Sequence, residues 1–128
     1  MTPKAIDFVV CDVSDLKRSV AFYRDTLGLK LDFMKEEWDW AEFDVGPVAL
    51  ALDANPFEGK VRDSTPKPGG AVVALAVEDV QAAVEALRGK GVTILREPFE
   101  TGVCFMAKIA DPDGNRIWLH RRKDGTWG

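Results

Sequence analysis

Apolar and polar positions along the chain follow a pattern that recurs after 64 residues, half of the 128-residue length. Each half opens with an apolar run typical of a β-strand, Ile6–Val13 in the first and Ala71–Val77 in the second. A segment with apolar residues at helical spacing follows each run. It begins after an aspartate, Asp15 or Asp79, whose carboxylate can accept hydrogen bonds from the free amides of a helix start. The pattern predicts two copies of one structural unit.

The repeat extends to individual residues and to the order of the elements. The offset matches identical residues in pairs: Val13 with Val77, Asp15 with Asp79, and Val20 with Val84. Gly28 and Gly91 follow the two helical segments, as expected where the chain must adopt a positive φ. Three strand candidates come next in each half: Lys30–Lys35, Trp38–Val45 and Val48–Leu52, then Val92–Arg96, Val103–Ile109 and Arg116–His120. The predicted order is therefore βαβββ, twice, in an α+β fold.

The length favours a single domain that contains both repeats. We expect the modules to span residues 1–54 and 71–122. The stretch 55–70 between them is rich in proline, glycine and charge, which is typical of a linker. The residues after 122, with Trp127 among them, read as a C-terminal tail.

Composition narrows the possible chemistry. The chain has one histidine, so it cannot supply a site that needs two histidines. Its net charge of −4 and the lack of a basic stripe argue against nucleic-acid binding and favour cationic or neutral ligands. No stretch is apolar enough over a sufficient length to span a membrane, so we expect no membrane association. Two cysteines do not make a disulfide framework, which predicts reduced thiols and a cytoplasmic protein.

Three segments carry a family resemblance: VSDLKRSVAFYRDTLGL, VEDVQAAVEALRGKGV and DPDGNRIWL. They resemble the vicinal oxygen chelate superfamily, which includes glyoxalase I, extradiol dioxygenases and the bleomycin-resistance proteins. The resemblance implies paired βαβββ modules whose mixed sheets curl around a cleft, commonly in a homodimer. It leaves open whether the cleft forms within one chain or by exchange of halves across a dimer.

Enzymes of this superfamily hold a divalent metal with histidine and glutamate from four strand positions. The resemblance places those positions here on four residues without a ligating side chain: Phe8, Ala51, Val72 and Trp118. A catalytic metal needs three or four imidazole, thiolate or carboxylate ligands. The chain is thus most similar to bleomycin-resistance-like members that bind a ligand without a metal, and we expect no cofactor and no catalytic residue.

Strand alternation extends the candidate cleft, because residues two apart share a face. Together with the four positions that the resemblance implies, it gives twelve candidate ligand-binding residues: Phe8, Asp12, Trp38, Trp40, Glu42, Ala51, Val72, Ala74, Met106, Lys108, Trp118 and His120. Broad indole rings suit flat aromatic ligands. The alternatives are that Trp38, Trp40 and Trp118 belong to the core or a dimer interface, and that the polar members are merely solvated.

The leading hypothesis is a metal-free protein that sequesters an aromatic or cationic small molecule, an antibiotic among the candidates. A second is a metal-dependent glyoxalase-like lyase or dioxygenase whose ligands have moved to Asp12, Glu42 or His120. A third is a degenerate structural or regulatory dimer module with a filled cleft. Bound metal and cleft volume discriminate among the three.

Overall fold

The computed structural model describes residues 1–2, 4, 6–55 and 72–126. Residues 56–70 of the predicted linker and Trp127 of the predicted tail therefore lie outside the described residues. The chain divides into two compact units, one with the strands of the first repeat and one with those of the second.

The first unit is a four-stranded mixed sheet with one helix. Its strands are β1 (Phe8–Asp12), β2 (Lys30–Lys35), β3 (Trp40–Asp44) and β4 (Ala49–Asp53). Helix α1 (Leu16–Ala21) continues into a π-helical turn at Phe22–Thr26. The strand order is β1-β4-β3-β2, with β1 parallel to β4 and the other pairs antiparallel.

The second unit has the same topology. Its strands are β5 (Val73–Ala76), β6 (Ile94–Glu100), β7 (Cys104–Ala110) and β8 (Arg116–Arg122), and its helix is α2 (Val80–Gly89). The order β5-β8-β7-β6 again has one parallel pair, β5 with β8, at the edge. The predicted α+β fold of repeated βαβββ units is confirmed.

Helix capping and glycine placement explain why each unit turns where it does. Asp15 accepts a hydrogen bond from the Arg18 amide at 3.1 Å, and Asp79 accepts one from the Ala82 amide at 2.9 Å. Each aspartate thereby satisfies a backbone donor that has no partner within its helix. Gly28 and Gly91 both have φ of 79°, a conformation that disfavours any residue with a Cβ. These local predictions are confirmed.

Each sheet packs one face against its own helix. In the first unit, Val20 and Tyr23 of the helical segment and Phe43 of β3 are buried, and the two rings lie 5.9 Å apart. In the second unit the buried residues alternate along the strands and follow helical spacing in α2: Val80, Val84, Leu87, Ala107, Ile109, Ile117 and Leu119. The opposite face of each sheet, against which no described helix of its own unit packs, is called here the helix-free face.

Most strand boundaries differ from the prediction by one or two residues, and two of the differences have a clear structural cause. The strand expected over Trp38–Val45 begins only at Trp40, because Asp39 takes a left-handed conformation with φ of 51° and Glu36–Trp38 forms a 3₁₀ turn. Strand β6 runs to Glu100 and thus continues through Pro98. Pro98 is tolerated because β6 is an edge strand whose pairing with β7 shifts register there. In the described part of the chain, no helix is long and apolar enough to cross a membrane.

Candidate functional site

The helix-free face of the first sheet combines aromatic rings with a carboxylate. Phe8 on β1 and Trp40 on β3 meet edge to face, with ring centroids 5.8 Å apart and planes at 87°. The Trp40 indole Nε1 donates a hydrogen bond to Glu42 Oε1 at 2.9 Å. Phe8 keeps 47% of its surface exposed, whereas Ala51 on β4 is fully buried. Ala51 is therefore covered by its neighbours, while part of the Phe8 surface stays open on this face.

The helix-free face of the second sheet combines aromatic rings with cations. Lys108 Nζ lies 4.1 Å from the centroid of the Trp118 ring, and Trp118 meets Phe99 at 6.1 Å and 67°. The Arg96 guanidinium carbon lies 3.7 Å from the centroid of the Phe99 ring. Two cation–π contacts and one aromatic pair therefore form a continuous row.

The backbone register shows which predicted residues share this second face. Trp118 pairs with Ala74 on one side and with Lys108 on the other. On the next row, His120 pairs with Ala76 and Met106. Ala74, Met106, Lys108, Trp118 and His120 are thus neighbours on one sheet, as strand alternation predicted.

Arg96 and Phe99 belong to the same rows but are absent from the predicted set. Arg96 pairs with Lys108, and Phe99 pairs with Met106. The strand predicted over Val92–Arg96 stops short of Phe99, whereas β6 runs to Glu100. The repeat offered a signal for these residues. This segment is the second strand of its repeat and corresponds to the edge strand β2 of the first unit.

Three predicted residues lie apart from these clusters. Trp38 sits on the 3₁₀ turn, 58% exposed, with Lys35 Nζ 4.4 Å from its ring centroid, so it does not share a strand face with Trp40. Asp12 is the exposed last residue of β1. Val72 immediately precedes β5 and is half-buried.

The register also relates the two repeats to each other. Val10 pairs with Ala51 in the first sheet, and Ala74, 64 residues after Val10, pairs with Trp118 in the second. Ala51 and Trp118 therefore occupy equivalent places in the repeated unit. Phe8 and Val72 are related by the same offset of 64.

A divalent metal is implied for enzymes of this fold, so the donor set matters. Phenylalanine, alanine, valine and tryptophan offer no imidazole, thiolate or carboxylate to a metal. Among residues 6–55 and 72–126, no group of three or more His, Cys, Asp or Glu side chains is arranged to hold a metal ion. The residues at the four positions do not fit a metal centre.

Similar proteins include lactoylglutathione lyases and an antibiotic binding protein. The chain is 32% identical over 123 residues to a lactoylglutathione lyase of Salmonella typhimurium, with 91% of each chain covered. It is 31% identical over 118 residues to a probable lactoylglutathione lyase of Synechocystis, with 84% of this chain and 87% of the relative covered. Among solved structures it is similar to TnmS3, an antibiotic binding protein from Streptomyces, at a TM-score of 0.74 and 26% identity over 96% of this chain and 99% of that one.

The family itself is settled by a match over most of the sequence. The model of the Glyoxalase/Bleomycin resistance protein/Dioxygenase superfamily matches residues 5–119, and the repeated βαβββ topology agrees with it. The chain belongs to the glyoxalase/bleomycin resistance protein/dioxygenase superfamily.

Proposed function

We propose that this protein binds an aromatic small molecule without a metal, through the helix-free faces of its sheets. The observation that carries the proposal is the set of side chains at the four positions that hold metal ligands in enzymes of the superfamily. Phe8, Ala51, Val72 and Trp118 replace every one of them with an apolar group. An antibiotic is the ligand class that the likeness to TnmS3 favours.

The two aromatic pairs supply the binding chemistry. Trp118 is half-buried, so part of its ring is open to solvent and part is already fixed by Phe99 and Lys108. A ring held in this way loses little conformational entropy when a flat ligand stacks on it. Aromatic pairs contribute about 0.5–1.5 kcal/mol beyond the area they bury. On the first sheet, Glu42 next to Trp40 offers a carboxylate to a cationic group of a ligand.

The remaining parts of the proposal concern the twelve predicted residues and the assembly. We include all twelve as ligand-binding candidates, with Trp38 and Val72 the least supported because they lie outside the strands. We also propose one domain of two modules, a homodimer and a cytoplasmic location. Light scattering after size exclusion tests the dimer, which requires twice the chain mass of 14.1 kDa.

Tryptophan fluorescence tests the ligand class. We expect a glycopeptide such as bleomycin, or a flat polycyclic antibiotic, to quench the emission with saturation at micromolar concentration. The Trp118→Phe variant is expected to lose part of the saturable change, because Trp118 lies beside Phe99 and Lys108 on the proposed binding face. If no compound of the panel gives saturable quenching up to high micromolar concentration, the proposal is wrong.

The similarity to lactoylglutathione lyases supports a second candidate, a metal-dependent lyase of the same superfamily. This candidate requires that Asp12, Glu42 or His120 replace the missing ligands. Elemental analysis of protein purified without chelator decides between the two. Stoichiometric zinc or nickel together with lyase activity would establish the enzyme and overturn the metal-free proposal.

A further inference from the structure

We propose that the helix-free face of the second sheet binds the anionic group of an aromatic ligand, with Lys108 and Arg96 as the binding cations. This inference rests on the proposed function and narrows its ligand class to aromatic carboxylates, phenolates or sulfonates. The inference rests on a local cluster of positive charge, which is opposite in sign to the net charge of −4 of the whole chain.

Both cations are without a carboxylate partner among the residues that the structure describes. Lys108 is half-buried, and its neighbours across the sheet are Trp118 and Arg96, one aromatic and one cationic. Both cations instead lie over rings, at 4.1 Å for Lys108 and 3.7 Å for Arg96. A ring face offsets only part of the desolvation of the half-buried Lys108, and the exposed Arg96 beside it is accessible to an anion from solvent.

The carboxylates nearest to Arg96 along β6 are bound by other cations. Glu97 is bound by Arg88 of helix α2, and therefore by a group from the other side of the sheet. Glu100 accepts a hydrogen bond from Lys123 at 2.5 Å. The carboxylates of β6 thus leave the positive charge of Lys108 and Arg96 available to a ligand.

The repeat gives Lys108 a counterpart of opposite charge in the first sheet. Glu42 pairs with Ala51 in the first sheet, and Lys108 pairs with Trp118 in the second. Because Ala51 and Trp118 are equivalent, Glu42 and Lys108 are equivalent as well, and their charges are opposite. Two copies of one unit have therefore diverged to an acidic aromatic face and a basic aromatic face. Charge reversal at one equivalent position changes which ligands each face attracts.

The geometry suits a ligand that has a ring and an anionic substituent. Its ring can stack on Trp118, whose indole already has Phe99 at its edge, while its anion meets the Lys108 ammonium. Arg96 adds a planar guanidinium, which can bind a carboxylate or sulfonate through two hydrogen bonds. The surface charges elsewhere that give the chain its negative net charge are screened over about 8–10 Å at ordinary salt.

A matched pair of dyes tests the inference: 8-anilinonaphthalene-1-sulfonate and the neutral N-phenyl-1-naphthylamine, which lacks the sulfonate. We expect the anionic dye to bind the folded wild type at least about tenfold more tightly than the neutral dye. Lys108→Gln and Arg96→Gln each weaken the anionic dye by about five- to tenfold and leave the neutral dye unchanged. Lys108→Arg retains the preference.

Lys123 provides the control lysine. Its Nζ also lies over a ring, 5.3 Å from the Phe105 centroid, but it is paired with Glu100. Lys123→Gln therefore leaves both dyes unaffected. Far-UV circular dichroism and the urea midpoint verify that each variant is folded before the dyes are compared.

The outcomes separate the inference from the proposed function. If both dyes bind with equal affinity, or if Lys108→Gln weakens them equally, the inference is overturned and an aromatic-binding function stands. If neither dye binds and no antibiotic quenches the fluorescence, both are overturned.

Discussion

Replacement of Ala51 by glutamate tests how the first helix-free face is built. Ala51 is fully buried and pairs with Glu42 and Val10, so a longer side chain here must displace its neighbours. A carboxylate introduced at this position lies next to another carboxylate and is removed from water. Both effects raise the pKa of the new glutamate, because burial and a like charge each disfavour its charged form.

The cost has two parts that a matched variant separates. Added volume in a packed position costs about 1–3 kcal/mol, and Ala51→Gln carries nearly the same volume as Ala51→Glu. The charge at pH 7 costs about 2–4 kcal/mol more, since burial commonly shifts a carboxyl pKa by two or three pH units. Because the pKa of the introduced glutamate is raised in the folded state, the cost of its charge is present near pH 7. It disappears as the pH falls through the folded pKa toward about 4.3, the ordinary value for glutamate.

Urea denaturation of both variants at pH 7 and pH 5 measures these terms. We expect Ala51→Glu to be less stable than Ala51→Gln at pH 7 and the gap to narrow at pH 5. Equal stability of the two at pH 7 would show a solvated position and refute the reasoning. A glutamate at position 51 alone still leaves the other three ligand positions without a metal-binding side chain. Ala51→Glu is therefore expected to bind no stoichiometric zinc.

Three further predictions concern the caps, the turns and the second face. Asp79→Ala removes the acceptor of the Ala82 amide and lowers the free energy of unfolding, measured with urea, by about 1 kcal/mol. Asp79→Asn keeps most of the wild-type stability. An unchanged urea midpoint for the alanine variant would contradict the capping role. Gly91→Ala, at φ of 79°, lowers the free energy of unfolding by about 1 kcal/mol. Gly89→Ala, in helix α2 with open space at its Cβ, leaves the stability unchanged or raises it. A larger loss for Gly89→Ala than for Gly91→Ala would contradict the positive-φ argument. Trp118→Leu weakens a bound aromatic ligand about tenfold or more in a calorimetric titration, and wild-type affinity in this variant would remove Trp118 from the site.

Much of the fold follows from the sequence because its signals are local. The aspartate caps, the glycines after the helices and the buried stripe of α2 each depend on residues within a few positions. The boundary at Trp38 could not be read in this way. Asp39 adopts a left-handed backbone conformation, which places Trp38 outside the strand. The spacing of apolar residues does not indicate such a conformation.

The candidate site could be predicted only where one strand's alternation was enough. Trp40 with Glu42, and Trp118 with His120, follow from a spacing of two. The cation–π row of Arg96, Phe99, Trp118 and Lys108 depends on the register between β6, β7 and β8. Register is set by pairing across the sheet and by the shifts around Pro98, so the single sequence did not indicate Arg96 and Phe99.

The central claim is that ligand binding needs no metal. Calorimetric titration of one aromatic antibiotic into chelator-treated protein, before and after zinc or nickel is added back, measures this directly. We expect saturable binding with the same Kd in the chelator-treated protein, the protein with zinc added and the protein with nickel added. Binding or lyase activity that appears only after a metal is restored would contradict it.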